Sequence, residues 1–136
     1  MSHRSALVAV SAAQLAAGFA GHVVALRRRL HYDVPSMLGS PEHVARDSLW
    51  FGTAISAPVY LLGAQAWGIA RLRRGPDERA RQVLRLIGTG LITGYSLERQ
   101  CRRRLTPGSL DPVETPIVAV GFAGVIAMAV LGRPFR

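Results

Sequence analysis

The chain opens with an unbroken apolar run, SALVAVSAAQLAAGFAGHVVAL (residues 5–26), which ends at the consecutive arginines Arg27, Arg28 and Arg29. A helix needs about 20 mostly apolar residues to cross the hydrocarbon core of a bilayer. Arginines at the end of such a run anchor the helix at the lipid headgroups. The run continues to Leu26 without a polar break, so it predicts a transmembrane helix rather than a cleaved signal peptide.

Three further segments follow the same pattern of an apolar run beside arginines. The four predicted spans cover approximately residues 5–26, 41–70, 82–101 and 112–132. We therefore expect an all-α fold with a single domain over residues 1–136. This domain is predicted to be a polytopic integral membrane protein, a four-transmembrane-helix bundle located in the cell membrane as a multi-pass protein. The second helix is expected to be the longest and to bend near Pro58, because proline removes a backbone donor.

Charge and cysteine content restrict the class of partner. All 17 basic residues are arginines, against 8 acids, and the formal net charge is +9. The arginines lie at the ends of apolar runs, so we expect membrane lipids as partners and no nucleic acid. Arginine without lysine, with abundant alanine, glycine and valine, is typical of a GC-rich bacterial genome. The single cysteine, Cys101, excludes an internal disulfide.

The acidic residues are distributed unevenly between the two predicted membrane faces. Four antiparallel spans place the end of span one, the start of span two, the end of span three and the start of span four on one face. Six of the eight acids lie there, whereas the arginines divide almost evenly. This one-sided cluster predicts a polar site on that face. Taken singly, each acid also has a structural interpretation as a helix cap or half of a salt bridge.

The stretch TGYSLERQC (residues 93–101) closes span three and carries two adjacent charges. We expect Glu98 to face a cleft between spans three and four, opposite Glu114 or Asp111, and to have Arg102 available as an ion-pair partner one turn later. A polar stripe at helical spacing is expected to face the bundle interior, because lipid would reject it. It consists of Arg85, Thr89, Thr93, Ser96 and Gln100.

Acids and histidines at the mouth of an apolar bundle favour proton-transfer chemistry on a lipophilic small molecule, such as isomerisation, cyclisation or ring opening. The candidate catalytic residues are Glu98, Glu114, Asp47, Asp111 and His22. The candidate substrate-binding residues are Arg46, Arg99, Tyr95 and Trp50. No metal-ligand set with adequate spacing and no cofactor motif is present, so we expect neither a metal nor a cofactor.

The arrangement of the segments resembles the MAPEG family of four-span membrane enzymes, a glutathione-transferase-like group. The resemblance rests on a basic loop after span one, a second helix with Arg46 near its start and Pro58 within it, and GYSLERQCRRR closing span three. It covers most of the chain as a layout and implies a four-span membrane enzyme. The asparagine and glutamate that follow the helix-two arginine in that family are absent here, so no residue role is carried over.

Two other functions fit the same sequence. A small homodimeric multidrug-type transporter would also need four spans, and a non-catalytic membrane partner subunit would use its arginines on anionic lipid. Pairs of small residues four positions apart favour internal helix packing, with a homo-oligomer as the alternative. These pairs are Ala16/Ala20, Ala17/Gly21, Gly90/Gly94 and Ala119/Ala123.

Overall fold

The computed structural model describes residues 2–134, and this part of the chain is mostly helical. Its elements in chain order are α1 (His3–Arg28), β1 (Asp33–Val34), β2 (Met37–Leu38), α2 (Val44–Trp50), α3 (Val59–Arg74), α4 (Glu78–Leu97), α5 (Arg99–Arg104) and α6 (Glu114–Leu131). Short 3-10 turns occur at Pro41–His43 and Pro107–Ser109. The two short strands form one antiparallel hairpin. The expected all-α class is confirmed, and α1 and α6 are each long and apolar enough to cross a membrane.

The four long helices pack in a ring, in the order α1, α6, α4, α3, so that each contacts two neighbours. Neighbours run antiparallel. At one end of the ring His3 hydrogen-bonds the carbonyl oxygen of Leu131, and at the other Arg28 donates to Asp111 at 3.2 Å. The first end also holds the short loop between α3 and α4. The second end holds the hairpin, α2 and α5, and the candidate site is built there.

A buried polar layer separates two apolar clusters in the core. One cluster lies around Leu84 and Met128, and the other around Val118 and Val125. Between them the Gln65 amide donates to the Gln14 side-chain oxygen at 2.7 Å and to the Ser11 carbonyl at 2.9 Å. The Gln14 amide donates in turn to the Tyr95 hydroxyl at 3.4 Å. Because buried amides are costly when unpaired, this layer fixes the relative positions of α1, α3 and α4.

The second predicted span is not one helix, which corrects the expectation of a continuous helix bent near Pro58. The chain leaves helical geometry over residues 51–58, and α3 begins only after Pro58. Gly52 has a φ of 83°, in the left-handed region that favours glycine. Proline disfavours helical geometry in the residue before it, so the break has two local causes. The longest described helix is α1 rather than the predicted helix two.

The polar stripe on α4 faces outward, contrary to the expectation that it lines the interior. Arg85, Thr89, Thr93 and Ser96 are all exposed. Thr89 donates its hydroxyl to the Arg85 carbonyl at 2.8 Å, and Ser96 bonds the carbonyl four residues earlier in the same way. A hydroxyl satisfied by its own helix needs no interior partner. The polar spacing alone therefore did not indicate which face is buried.

Of the four small-residue pairs, only Ala17/Gly21 is buried, and the members of the other three are exposed. Gly88, which belongs to none of the pairs, instead marks a close approach between the backbones of α4 and α6. A Cβ atom at Gly88 would lie 2.8 Å from the Met128 side chain and 2.8 Å from the Val125 carbonyl oxygen. The two backbones can reach this separation only without a side chain at that position.

Gly88→Ala is expected to lower the free energy of unfolding by about 1–3 kcal/mol, because the new methyl group meets backbone that cannot move aside cheaply. Gly90→Ala is the matched control on the same helix, since a Cβ there meets nothing within 4 Å. This control should be neutral, or stabilising by up to about 1 kcal/mol. Thermal unfolding in detergent measures both, and equal melting temperatures for the two variants would contradict the α4–α6 packing.

Candidate functional site

A cavity of about 220 Å³ lies beside the non-helical segment at residues 51–58. Its wall also includes the hairpin and the last turns of α4, and it is mostly apolar. The lining residues are Tyr32, Val34, Met37, Phe51, Thr53, Ala54, Ile55, Ser56, Ala57, Pro58, Leu91, Gly94, Tyr95, Glu98 and Cys101. We call this space the apolar cavity. Among its lining residues Glu98 is the one carboxylic acid.

Glu98 lies in the one-residue break between α4 and α5 and is only 5% exposed. Its two carboxylate oxygens accept the backbone N–H of Asp33 at 3.0 and 3.1 Å. A weaker bond from the backbone N–H of Gln100, at 3.4 Å, caps the start of α5. The carboxylate thus joins the helix break to the hairpin, whereas it was expected to face a cleft between spans three and four.

The expected partners of Glu98 are wrong. The salt bridges among residues 2–134 do not include a Glu98–Arg102 pair, and Arg102 acts on the carboxylate only through space. Neither Glu114 nor Asp111 lies across from it, because both belong to a different network. The reason is the helix break: the chain turns at Glu98, so its side chain points toward the hairpin instead of toward α6.

Burial raises the pKa of the Glu98 carboxyl to about 7, although the N–H groups of Asp33 and Gln100 and the charge of Arg102 oppose the shift. Desolvation destabilises the charged form of a carboxyl group more than the neutral form. A carboxyl group with a pKa near neutrality can both donate and accept a proton under ordinary conditions. Glu98 is therefore a buried carboxyl that can change its protonation state near neutral pH.

Three further polar side chains at the apolar cavity, those of Cys101, Thr53 and Ser56, are hydrogen-bonded. Cys101 donates its thiol to the Ala54 carbonyl at 3.2 Å, and Thr53 and Ser56 share a hydroxyl–hydroxyl bond of 2.8 Å. Burial and the nearby Glu98 charge raise the pKa of the Cys101 thiol. The reactive thiolate form is therefore disfavoured. Tyr95, a predicted binding residue, does line the cavity, with its hydroxyl turned to the polar layer of the core.

Glu114 and Asp111 form a separate network that joins α1, α5 and α6. Glu114 is 1% exposed and binds Arg28, the Gln100 amide at 2.7 Å and the Arg104 guanidinium at 3.1 Å. Asp111 caps α6 by accepting the N–H of Glu114 at 2.8 Å. Backbone N–H bonds and Arg28 hold the pKa of Asp111 at about 2. Both acids have the environment of permanently charged structural groups, unlike Glu98.

The remaining predicted site residues are dispersed. Asp47 is buried in α2 and pairs with the exposed Arg46 at 3.2 Å. His22 lies along α1, and Trp50 is exposed at the end of α2; neither lines the apolar cavity. Arg99 lies 3.7 Å from Asp33 at a neighbouring cavity. Of the nine predicted site residues, only Glu98 and Tyr95 meet in the apolar cavity.

Sequence reasoning missed the main walls of this cavity, namely residues 51–58 and the hairpin. The available signal was Gly52 followed by Pro58, which together mark irregular backbone.

Within residues 2–134 no group of three or more histidine, cysteine, aspartate or glutamate side chains is arranged to hold a metal ion. Comparisons with protein-family models, with curated proteins and with solved structures gave no match to the chain.

Infrared difference spectroscopy should detect one protonated carboxyl band that titrates near pH 7 and disappears in Glu98→Gln. The reason is the raised pKa of this buried group. Glu42→Gln is the control: Glu42 is exposed on the same end of the molecule, and hydrogen bonds lower its pKa. A neutral-pH band that survives in Glu98→Gln would assign the titration to another residue.

The raised pKa of Glu98 also determines how the stability of the protein changes with pH. Between pH 4.5 and about 7 the folded protein holds a proton on Glu98 that the unfolded chain has lost, so stability falls as the pH rises through this window. Relative to Glu98→Gln, the free energy of unfolding of the wild type should fall by up to about 3 kcal/mol across this pH window. Denaturant unfolding at several pH values measures this difference, and a constant difference would contradict the assignment.

Proposed function

We propose that all four long helices span a membrane, although only α1 and α6 have the length and hydropathy expected of a span. The outward faces of all four helices support this proposal, because each carries large apolar side chains that have no cover. These residues are Phe19, Val23, Leu26, Val59, Tyr60, Trp67, Leu86, Leu97, Val120, Ile126 and Val130. Large exposed apolar side chains on all four helices are typical of a bundle that lies in lipid, although α4 also exposes its polar stripe.

The non-helical segment is compatible with this environment. Irregular backbone occurs at membrane depth only where it is buried in protein or lines a cavity. Gly52, Thr53, Ala54, Ile55 and Ser56 are all buried. The N–H of Thr53 donates to the Ser56 carbonyl at 2.9 Å, and the N–H of Ala54 donates to the Leu30 carbonyl at 3.2 Å. The segment therefore pairs at least these two backbone donors inside the bundle.

Single cysteines placed in a Cys101→Ser background test the topology in sealed vesicles. Ser36→Cys, in the exposed hairpin turn, and Pro76→Cys, in the exposed α3–α4 loop, should react with a membrane-impermeant maleimide from opposite sides. This result is expected because α3 and α4 connect the two ends of the bundle. Labelling of both cysteines from the same side would show that α3 and α4 do not cross.

Within this membrane setting, we propose that the protein is an enzyme that binds a lipophilic small molecule in the apolar cavity and moves a proton to and from it through Glu98. The observation that supports this most is one buried carboxyl at the end of a largely apolar space, placed there by two helix breaks. In an isomerisation, the neutral carboxyl gives its proton to one atom of the substrate. The resulting carboxylate then removes a proton from another atom, so the residue is restored without a co-reactant.

A second candidate, a proton-coupled transporter, has one specific observation in its favour. Discontinuous helices that meet at a binding site are typical of secondary transporters. Here the α2–α3 break and the α4–α5 break meet at Glu98. Against this candidate, Glu98 follows the last residue of α4, so it lies near one membrane face instead of at the midplane. Flux of a bound ligand into liposomes, without conversion, would favour transport.

Gly94→Leu should weaken ligand binding at least about tenfold, because the side chain would occupy open space at the cavity wall. Gly90→Leu, one turn earlier on α4, also enters open space but lies outside the cavity, so it should bind normally. Native mass spectrometry of the detergent-extracted protein identifies the bound molecule and compares its occupancy in the two variants. Equal occupancy would remove the apolar cavity as the binding site.

Glu98→Gln separates binding from chemistry. The amide keeps the size of the side chain and removes the titratable proton, so the bound molecule should be retained while its conversion falls by at least about 100-fold, as for loss of a general acid. Glu114→Gln is the comparison on a second buried acid: it should lower the melting temperature through the loss of a charge paired with Arg28 and Arg104. Unchanged turnover in folded Glu98→Gln would end the catalytic proposal.

A further inference from the structure

A second cavity, of about 290 Å³, lies next to the apolar cavity and is much more polar. It is formed by the chain that follows α1, by the hairpin and by α5. Its charged lining groups are Arg29, Arg99, Arg103 and Asp33, with His31 beside them. We call this space the basic cavity.

The basic cavity carries more positive charge than the protein neutralises. Three guanidinium groups line it against one carboxylate, that of Asp33, which lies 3.7 Å from Arg99. Arg29 and Arg103 take part in none of the salt bridges found among residues 2–134. The charge of Arg29 acts through space on Glu42 and lowers the pKa of that carboxyl. Two unneutralised guanidinium groups in one cavity favour a dianion.

Two features of the backbone and the side chains indicate that this arrangement holds a ligand. Arg29 ends α1 with a φ of 53° and a ψ of 47°, the left-handed conformation usually occupied by glycine. An arginine in this conformation costs about 1–2 kcal/mol. The same conformation ends α1, because the N–H groups of Arg29 and Leu30 both donate to the Ala25 carbonyl, and it leaves Arg29 at the wall of the basic cavity. The Nδ1 atom of His31, also at this wall, is buried without a hydrogen-bond partner in the described part of the chain.

The two cavities adjoin each other. Ala54 lines both, and the backbone N–H of Asp33, from the wall of the basic cavity, donates to Glu98 in the wall of the apolar cavity. Arg99 and Gln100, which line the basic cavity, directly follow Glu98 in the sequence. The two cavities therefore share a wall at Ala54 and at the Asp33–Glu98 bond, and this is where a molecule with an apolar body and a charged head would bridge them.

We propose that the basic cavity binds the phosphate head of an amphipathic ligand whose apolar part occupies the apolar cavity. This inference rests on the proposed function and names the substrate class for the same site. A phosphate monoester, which is close to a dianion at neutral pH, matches the surplus of two positive charges, and guanidinium groups bind its oxygens in pairs. The shared chemistry is a phosphate monoester on an apolar chain, whether it belongs to a separate small molecule or to a membrane lipid with a phosphomonoester head.

Decyl phosphate and decanol are the probes, because they have the same chain and differ in the head. Binding is followed by native mass spectrometry of the detergent-extracted protein. Wild type should bind decyl phosphate at least tenfold more tightly than decanol, and Arg29→Gln with Arg103→Gln should remove this preference while leaving decanol binding unchanged. The matched control is Arg73→Gln with Arg133→Gln, two exposed arginines at the opposite end that also lack a salt bridge.

Arg103→Gln alone should remove part of the preference for decyl phosphate over decanol. This single variant keeps the left-handed Arg29, so it can be tested if the double variant fails to fold. Equal decyl phosphate binding by wild type, control and cavity variants would overturn the proposal. Inorganic phosphate should compete at least 100-fold more weakly than decyl phosphate, since it has no chain for the apolar cavity. Competition at similar concentrations would show an anion site that is independent of the apolar cavity, and it too would overturn the proposal.

Two further readouts separate the remaining alternatives. A phospholipid that co-purifies with wild type and is lost from the Arg29/Arg103 variant supports the proposal and assigns the phosphate to a membrane lipid. Tight decyl phosphate binding without a retained phospholipid supports it and assigns the phosphate to a separate ligand. If Gly94→Leu leaves the binding of both probes unchanged, the proposed function fails. If decanol binding depends on Gly94 but no phosphate preference exists, only the present inference fails.

Discussion

The bond between the Glu98 carboxylate and the backbone N–H of Asp33 is the contact on which the candidate site depends. It connects the end of α4 to the hairpin that follows α1, two parts of the chain that no helix–helix packing would hold together. The hairpin then closes the apolar cavity on one side and the basic cavity on the other. Burial of Glu98 favours the protonated form of its carboxyl. The side chain that holds the hairpin in place is therefore also the group that titrates.

Two interruptions of helical structure make this arrangement possible. A continuous helix satisfies its own backbone groups and offers a ligand only side chains. Where the chain is non-helical, at residues 51–58 and at Glu98, backbone groups become available, and several of them, such as the N–H groups of Thr53, Ala54 and Glu98, are paired inside the protein. Gly52 supplies the left-handed geometry for the first break, and Pro58 prevents α3 from extending backward. The polar layer around Gln65 keeps the helices in register below these breaks.

Electrostatic environment gives two nearby glutamates opposite properties. Glu114 is more deeply buried than Glu98, but its oxygens meet Arg28, Arg104 and the Gln100 amide, and its charge is compensated. Glu98 has backbone donors and no salt-bridge partner, so desolvation dominates. Gln100 contacts both, through its backbone N–H to Glu98 and its side chain to Glu114. Burial alone thus does not distinguish a structural carboxyl from a titrating one; the presence of a paired cation does.

The helical class, the two apolar helices α1 and α6, and the position of six acids at one end of the antiparallel segments could be predicted from the residues alone, because hydrophobic runs and their flanking charges are local properties. The same is true of the cap that Asp111 makes on α6, which depends on residues within three positions. In contrast, the folded structure was needed to show that Glu98 and Glu114 lie in different networks, that the stripe from Arg85 to Ser96 faces outward, and that Arg29, Arg99 and Arg103 share a cavity. The first physical reason is that a helix break changes the direction of every side chain after it. The second is that the partners of a buried charge come from distant segments, and no local sequence pattern encodes how those segments approach each other.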